Sequence, residues 1–214
     1  VWEKTTMKVP SGSSQNDYAW LSRFPKMIKW LGSKTIKTLK AFGYTVVNDD
    51  YECTIEVDRN DIDDENIGIY AIQAKDGGFS AKQLPDEIDA ELKNNAFANE
   101  CFDGQYYYDS DHPVAGASVS NLGTAALSAA TITLAAASYG VGRLAIMSLT
   151  DDEGRPLGLI PNVLEVGPSL EATAKLLCNS PKLEDDKPNP YFGTAEVLLN
   201  PRMTSTTQWM LHVT

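Results

Sequence analysis

Three tryptophans lie within the first thirty residues, on a stretch of chain that shows no hydrophobic core of its own. Trp2, Trp20 and Trp30 are interrupted by the breaker Pro-Ser-Gly-Ser-Ser at 10–14. A tryptophan left in water exposes a large apolar surface, so aromatic residues on such an arm usually contact a partner surface. We therefore expect residues 1–25 to form an extended arm whose aromatic side chains are covered by another copy of the chain.

The charges are distributed unevenly. Residues 1–40 contain eight lysines or arginines against Glu3 and Asp17, a net charge of +6, which leaves −17 on residues 41–214 because the whole chain carries −11. An acidic body repels the phosphates of nucleic acids, so nucleic-acid binding is not expected. The basic leading segment can instead lie on the acidic surface of a neighbouring copy. A solvated charged arm is the equally supported alternative.

The spacing of apolar residues predicts an α+β protein, with strands and helices in separate blocks. Tyr51, Cys53, Ile55 and Val57 alternate with polar residues and predict a strand, with which residues 44–47 can pair as a hairpin. Such a hairpin is marginally stable in water unless it packs on something else. The further predicted elements are a helix over 125–149 with Ser128 as a cap, a strand at 163–166, a helix at 169–179, and strands at 195–199 and 208–213.

A long helix is predicted from about 62 to 98, with Asp61 as its N-cap. Gly77-Gly78 and Pro85 interrupt its apolar spacing, so we expect it to be bent or broken between 77 and 85. Two separate helices are the alternative.

Neither a membrane span nor a cysteine-based site is indicated. The longest uncharged stretch, 113–142, is composed mainly of Ala, Ser, Thr and Gly, which is typical of a packed helix rather than a membrane helix. Cys53, Cys101 and Cys178 form no C-x-x-C pair, so neither a disulfide framework nor a zinc site is indicated.

The run Asp109-Ser110-Asp111-His112 is the best candidate for chemistry. Its carboxylates and imidazole could bind a divalent cation, but further ligands would have to come from elsewhere, and the run is also typical of a turn. The sequence has no nucleophile elbow and no phosphate-binding loop. We expect no catalytic residue, no cofactor and no metal; a metal-dependent hydrolase using Asp109, Asp111 and His112 is the remote alternative.

Several runs resemble the major head subunit of Mu-like phages in order and spacing. They lie at 18–21, 28–32, 48, 51–59, 61–64, 68–70, 85–86, 154–157, 161–164 and 208–211, so the resemblance covers nearly the whole chain. The most specific run, 102–113, contains Asp103, Gly104, Gln105, Asp109, Asp111, His112 and Pro113. Ser33-Lys34 departs from the family, which usually has an acidic–basic pair there. Because Val1 is not a start methionine and family members continue beyond Trp209, we expect this chain to be a piece of a longer one that lacks a C-terminal portion.

The resemblance implies the Hong Kong 97-type capsid fold. On this fold we expect an arm at 1–25, an extended hairpin loop at 26–60, a spine helix and peripheral lobe at 61–113, and an axial lobe at 114–200. Residues 201–214 would return toward the peripheral lobe.

The function that the resemblance implies is assembly rather than catalysis. Copies of the chain would form hexamers and pentamers of an icosahedral shell, within the virion and assembled in the bacterial cytoplasm, with portal, scaffold, protease and decoration proteins as partners and packaged DNA only as content. No membrane is involved. A nanocompartment shell of the same fold is the runner-up. The residues expected to contact a neighbouring copy are Trp20, Arg23, Lys26, Lys29, Trp30, Lys34 and Lys37.

Overall fold

The computed structural model describes residues 1–21, 41–57, 59, 68–114, 116–127, 130–151, 154–183 and 186–214. The described residues form both helices and strands, and three of the four strand pairs are antiparallel, in agreement with the predicted α+β class. The elements are α1 (Trp2–Thr5), β1 (Gln15–Leu21), β2 (Ala41–Val47), α2 (Gly68–Asn94), β3 (His112–Val114), β4 (Ala117–Val119), α3 (Ile132–Met147), β5 (Val163–Val166), α4 (Glu171–Asn179), β6 (Glu196–Leu199) and β7 (Trp209–His212).

The hydrophobic core lies between a three-stranded sheet and two helices. β5 is the central strand and pairs in parallel with β6 and antiparallel with β7. All four residues of β5 are buried, as expected of a strand that is covered on both faces. The predicted strands at 163–166, 195–199 and 208–213 and the helix at 169–179 are therefore confirmed, the helix being preceded by a 3-10 turn at Pro168–Leu170. Helices α3 and α4 contribute Ala135, Ala136, Tyr139, Ala174, Leu177 and Cys178 to the core.

Helix α3 begins later than predicted. Its N-cap is Thr131, whose side-chain oxygen accepts a hydrogen bond from the backbone N–H of Leu134 at 3.2 Å. Residues 125–127 are not helical, and the predicted cap Ser128 lies outside the described residues. The long uncharged stretch gives no compositional boundary, so the predicted start at 125 was wrong.

Helix α2 is one continuous helix of 27 residues that runs through Gly77, Gly78 and Pro85. The alternative of two helices is therefore wrong, while the predicted cap Asp61 and the predicted start at 62 lie outside the described residues. Proline is tolerated because the unpaired carbonyl of Ala81 lies in an exposed turn that water can reach. At about 1.5 Å per residue the helix is roughly 40 Å long, and it is buried mainly at its C-terminal end, at Asp89, Ala90 and Lys93.

The predicted strand at 51–57 was wrong. Residues 48–57 form no strand, and the partner of β2 is β1, with Tyr18 opposite Tyr44 and Gln15 opposite Val47. The alternating side chains at 51–57 instead reach helix α2, because a Cβ built on Gly77 would lie 3.5 Å from Sγ of Cys53 and 3.9 Å from Cδ1 of Ile55. Cys53 and Ile55 therefore lie near α2, but residues 51–57 all remain exposed, and their alternation does not come from strand pairing.

The leading segment is only partly an arm. Residues 15–21 belong to strand β1, and the start of the chain folds back onto α2, where the backbone N–H of Trp2 donates to Asp86 at 3.1 Å and Thr6 donates to Asp89 at 3.0 Å. Trp2 is about half-buried within its own chain. The expectation that all three tryptophans need a partner copy was therefore wrong for Trp2, because α1 and α2 already contact each other.

Among the described helices, none combines the length and the apolar composition needed to cross a membrane. The three cysteines, all of them described, are unpaired. Burial raises the pKa of the Cys178 thiol to about 11, which keeps it protonated in the core.

We predict that Gly142→Ala destabilises the protein. A Cβ at this position of α3 would lie 2.8 Å from Cη2 of Trp209 and 3.2 Å from Cδ1 of Leu211. Overpacking of this kind lowers the free energy of unfolding by about 1–3 kcal/mol. Chemical denaturation provides the measurement.

Gly78→Ala is the matched control, because nothing lies within 4 Å of its Cβ. There the better helix propensity of alanine should raise the free energy of unfolding by up to about 1 kcal/mol. Equal shifts for the two variants would contradict the packing of β7 on α3.

Candidate functional site

Strands β1 and β2 form an exposed ribbon with one apolar face. The ribbon has seven antiparallel register pairs. Because side chains alternate along a strand, Tyr18, Tyr44 and Val46 share one face, and all three are exposed. The opposite face includes Asp17 and Thr45, which are joined by a hydrogen bond of 2.6 Å. We call the first face the apolar ribbon face.

An apolar hollow lies where the ribbon meets the body. It has a volume of about 490 Å³ and is lined by Tyr18, Tyr44, Leu92, Phe102 and Tyr107, among others. The rings of Tyr44 and Phe102 meet edge to face, with centroids 6.4 Å apart. The apolar ribbon face and this hollow therefore form a continuous surface that the described part of the chain leaves largely uncovered.

A buried ion cluster lies beneath the N-terminal segment. Nζ of Lys93, in α2, is 2.7 Å from Oδ2 of Asp89 and 2.9 Å from the carboxylate of Glu165, and donates to the Thr5 hydroxyl at 2.9 Å. The side chains of Lys93 and Asp89 are only 6% and 4% exposed, and that of Glu165 is fully buried. Buried charges are tolerated only when paired and hydrogen-bonded, so this cluster fixes the relative positions of α1, α2 and β5.

Glu165 is the acceptor at the centre of the cluster. Besides Lys93, its carboxylate accepts hydrogen bonds from Nδ2 of Asn200 and Nε2 of His212, each at 2.8 Å. Burial raises the pKa of Glu165, but the hydrogen bonds from His212, Lys93 and Asn200 and the charge of Lys93 outweigh it and lower the pKa to about 2. The carboxylate is therefore ionised at neutral pH. Through His212 and Asn200 it holds β7 and the turn after β6 next to Lys93.

The run that carries the family resemblance forms a tight turn around Asp103. Its carboxylate accepts from the Cys101 thiol at 2.9 Å and from the backbone N–H of Gln105 at 3.1 Å, and lies 2.7 Å from Nδ1 of His112. Gly104 has φ 81°, which favours glycine. Burial raises the pKa of Asp103, but the three hydrogen bonds lower it to about 2.

Asp109 and Asp111 have other partners. Oδ1 of Asp109 accepts from the backbone N–H of Ser110 at 2.6 Å, and Oδ1 of Asp111 accepts from the Ser118 hydroxyl. Pro113 lies in β3 opposite Ser118. Among the described residues, the groups that could hold a metal ion do not unite Asp109 and Asp111 with His112. The geometry therefore gives no support to the hydrolase alternative.

Of the residues predicted to contact a neighbouring copy, Trp20 lies in β1 opposite Phe42. The others lie outside the described residues, in the connection between β1 and β2: Arg23, Lys26, Lys29, Trp30, Lys34 and Lys37.

The sequence-based prediction missed Lys93, Asp89 and Glu165. One feature could have revealed the cluster: Glu165 interrupts the otherwise apolar strand Val-Leu-Glu-Val. A charge in the middle of a buried strand requires a buried counter-charge. The partner lysine lies on a helix that contains several other charged residues, so nothing in the sequence distinguishes it.

Comparison with known proteins agrees with the family resemblance found in the sequence. The family model described as "Mu-like prophage major head subunit gpT" matches residues 1–131 and 124–203. The major capsid protein of Escherichia phage Mu is 39% identical over 113 residues, which is 53% of this chain and 37% of that protein. The Mu-like prophage FluMu major head subunit of Haemophilus influenzae is 37% identical over 111 residues, 52% of this chain and 36% of that protein. The aligned segments thus span little more than a third of these two relatives.

The structural comparison covers more of the chain. The capsid of bacteriophage JBD30 matches with a TM-score of 0.80 and 26% identity, covering 92% of this chain and 89% of that chain. The fold is therefore the predicted Hong Kong 97-type fold of phage capsid proteins. Within that class, the family model that covers most of the sequence shows that the chain belongs to the Mu-like prophage major head subunit gpT family. The proteins it matches are named as structural head proteins, which supports the expectation that it is not an enzyme and gives no support to the nanocompartment alternative.

We predict that Lys93→Met strongly destabilises the fold. Removing the cation leaves Asp89 and Glu165 buried without their counter-charge, a loss of about 3–5 kcal/mol in the free energy of unfolding. The control is Lys175→Met, which removes a surface pair with Glu171 that is worth at most about 1 kcal/mol. Urea denaturation at neutral pH compares the two. If Lys93→Met were no more destabilising than the control, the cluster would not hold these elements together.

Proposed function

We propose that this chain is the shell-forming subunit of a Mu-like phage or prophage head. Copies associate into hexamers and pentamers that close into an icosahedral shell around DNA. The observation that carries this proposal is the apolar ribbon face, which lies outside the core of the fold and stays exposed beside the hollow. A capsid fold supplies many identical neighbours, and one of them can cover this surface.

The energetics favour association. Obligate interfaces bury on the order of 2,000 Å² or more and are rich in apolar contacts. A two-stranded ribbon is marginally stable alone, so a neighbouring subunit would stabilise the ribbon while hiding Tyr18, Tyr44 and Val46 from water. We further propose that portal, scaffold, protease and decoration proteins act with it, that assembly takes place in the bacterial cytoplasm, and that DNA is enclosed content rather than a specific ligand.

The decisive experiment is electron microscopy of the purified full-length protein, combined with light scattering after size-exclusion chromatography. We expect closed shells or rings of five and six subunits. A monodisperse monomer at high concentration, with or without the scaffold expressed beside it, would contradict the proposal.

A matched pair of variants tests the apolar ribbon face. Val46 and Val47 are neighbours on opposite faces of the ribbon and are 40% and 67% exposed. Burying an unpaired carboxylate in an interface costs several kcal/mol, so Val46→Asp should abolish shell or ring formation. Val47→Asp should leave assembly intact although its side chain is the more exposed. Circular dichroism checks that both fold, and equal loss of assembly in both would argue against this face as the contact.

A second pair tests the basic segment. We propose that Lys26, Lys29, Lys34 and Lys37 contact an acidic surface of the next subunit, so reversing all four to Glu should abolish assembly and leave the fold intact. The control reverses Lys75, Lys82, Lys175 and Lys182, which changes the net charge by the same amount elsewhere in the chain. Unchanged assembly of the first variant would rule the contact out, and equal loss in both would indicate a net-charge effect.

A further inference from the structure

The turn at 101–105 and the first residue of β3 bring three different metal-ligating side chains together. One ligand atom each from Cys101, Asp103 and His112 lies within 4.8 Å of the other two. Sγ of Cys101 is 2.9 Å from Oδ1 of Asp103, and Nδ1 of His112 is 2.7 Å from Oδ2 of Asp103. We infer that Cys101, Asp103 and His112 form a binding site for a thiophilic divalent transition metal of the zinc class.

The spacing suits a tetrahedral ion. Zinc binds oxygen and nitrogen at about 2.0–2.1 Å and sulfur at about 2.3 Å, which places the ligand atoms roughly 3.3 to 3.6 Å apart. The hydrogen bonds of 2.7 and 2.9 Å run to different oxygens of Asp103, and one ligand atom from each residue lies within 4.8 Å of the other two. Side-chain rotations on the order of 1 Å bring the three atoms to the spacing of a zinc site when the cation takes the place of the hydrogen bonds.

The chemistry of the three ligands is complementary. A thiolate and a carboxylate balance a divalent cation, and a neutral imidazole completes the set, so the filled site has no net charge. On binding, the Cys101 thiol proton, and any proton on Nδ1 of His112, pass to solvent. Nε2 of His112 is buried without a hydrogen bond of ordinary geometry to a described residue, and the Asn121 side chain lies nearby. The tautomer that a cation requires, with its proton on Nε2, therefore breaks no described hydrogen bond there.

The site is both rigid and accessible. The backbone N–H of Cys101 donates to the carbonyl of Gln105 at 2.7 Å, and the N–H of Gly104 donates to the carbonyl of Cys101 at 3.1 Å, so the turn is held in place before any ion binds. All three ligand residues line a cavity of about 560 Å³ that also borders His212. The fourth position of the ion can be filled from this cavity by water or another donor.

The test uses cobalt as a spectroscopic substitute for zinc on the purified full-length protein after treatment with a chelator. Cobalt bound by one thiolate in tetrahedral geometry gives a sulfur-to-metal charge-transfer band and intense visible bands. We expect one such ion per chain, displaced by zinc. Cys101→Ser should abolish the charge-transfer band, and Cys53→Ser, which alters an exposed cysteine, should leave it unchanged. No band in the unaltered protein, or a band lost only in Cys53→Ser, would overturn the site.

A second measurement needs no variant. The alkylation rates of the three cysteines can be followed by peptide mass spectrometry with and without zinc. At a zinc concentration of ten times Kd, the unbound fraction falls roughly tenfold, so alkylation of Cys101 should slow roughly tenfold while that of Cys53 is unchanged. Equal rates at Cys101 with and without zinc would overturn the proposal even if the serine variant failed to fold.

Discussion

The charge of Glu165 is the constraint on which the arrangement of this fold depends. A carboxylate at the centre of a fully buried strand is unfavourable unless cations and donors surround it. Here the donors come from α2, β7 and the turn after β6, and Lys93 in turn binds the N-terminal segment through Thr5. These elements are far apart in sequence and must all be in place before the carboxylate is satisfied. The cluster therefore couples helix α2, the sheet and the leading residues into one cooperative unit.

The rest of the molecule divides into a part that buries its own apolar side chains and a part that leaves them exposed to solvent. The sheet with α3 and α4 encloses its own apolar side chains. Helix α2 is held mainly by its C-terminal end, and the ribbon presents aromatic and aliphatic side chains to solvent. This division is what a shell subunit requires, because the stable part defines a body of constant shape and the uncovered part supplies contacts between copies.

Much of this organisation could be predicted from the sequence. The elements of the sheet and helix α4 follow from local apolar periodicity, and the turn at 102–113 follows from its residue types. The strand assigned to 51–57 was wrong because apolar alternation does not require strand pairing: Cys53 and Ile55 lie near Gly77 of α2, and the whole segment is exposed. The pairing of β1 with β2 was missed because the paired residues are 20 to 32 positions apart in the sequence. The three metal-ligating side chains escaped for a similar reason: His112 is nine positions beyond Asp103, and only the turn geometry brings them together.

The route of the chain between α1 and the ribbon has a mechanical consequence. Thr6 is hydrogen-bonded to Asp89, and Ser11 accepts a hydrogen bond from the side chain of Asn48, which follows the last residue of β2. Residues 7–10 between them are all exposed and form a short connecting segment. The five Cα–Cα steps from Thr6 to Ser11 extend to at most about 18 Å. Beyond that separation, displacement of the ribbon away from α1 would pull directly on Asp89 and the charges buried beside it.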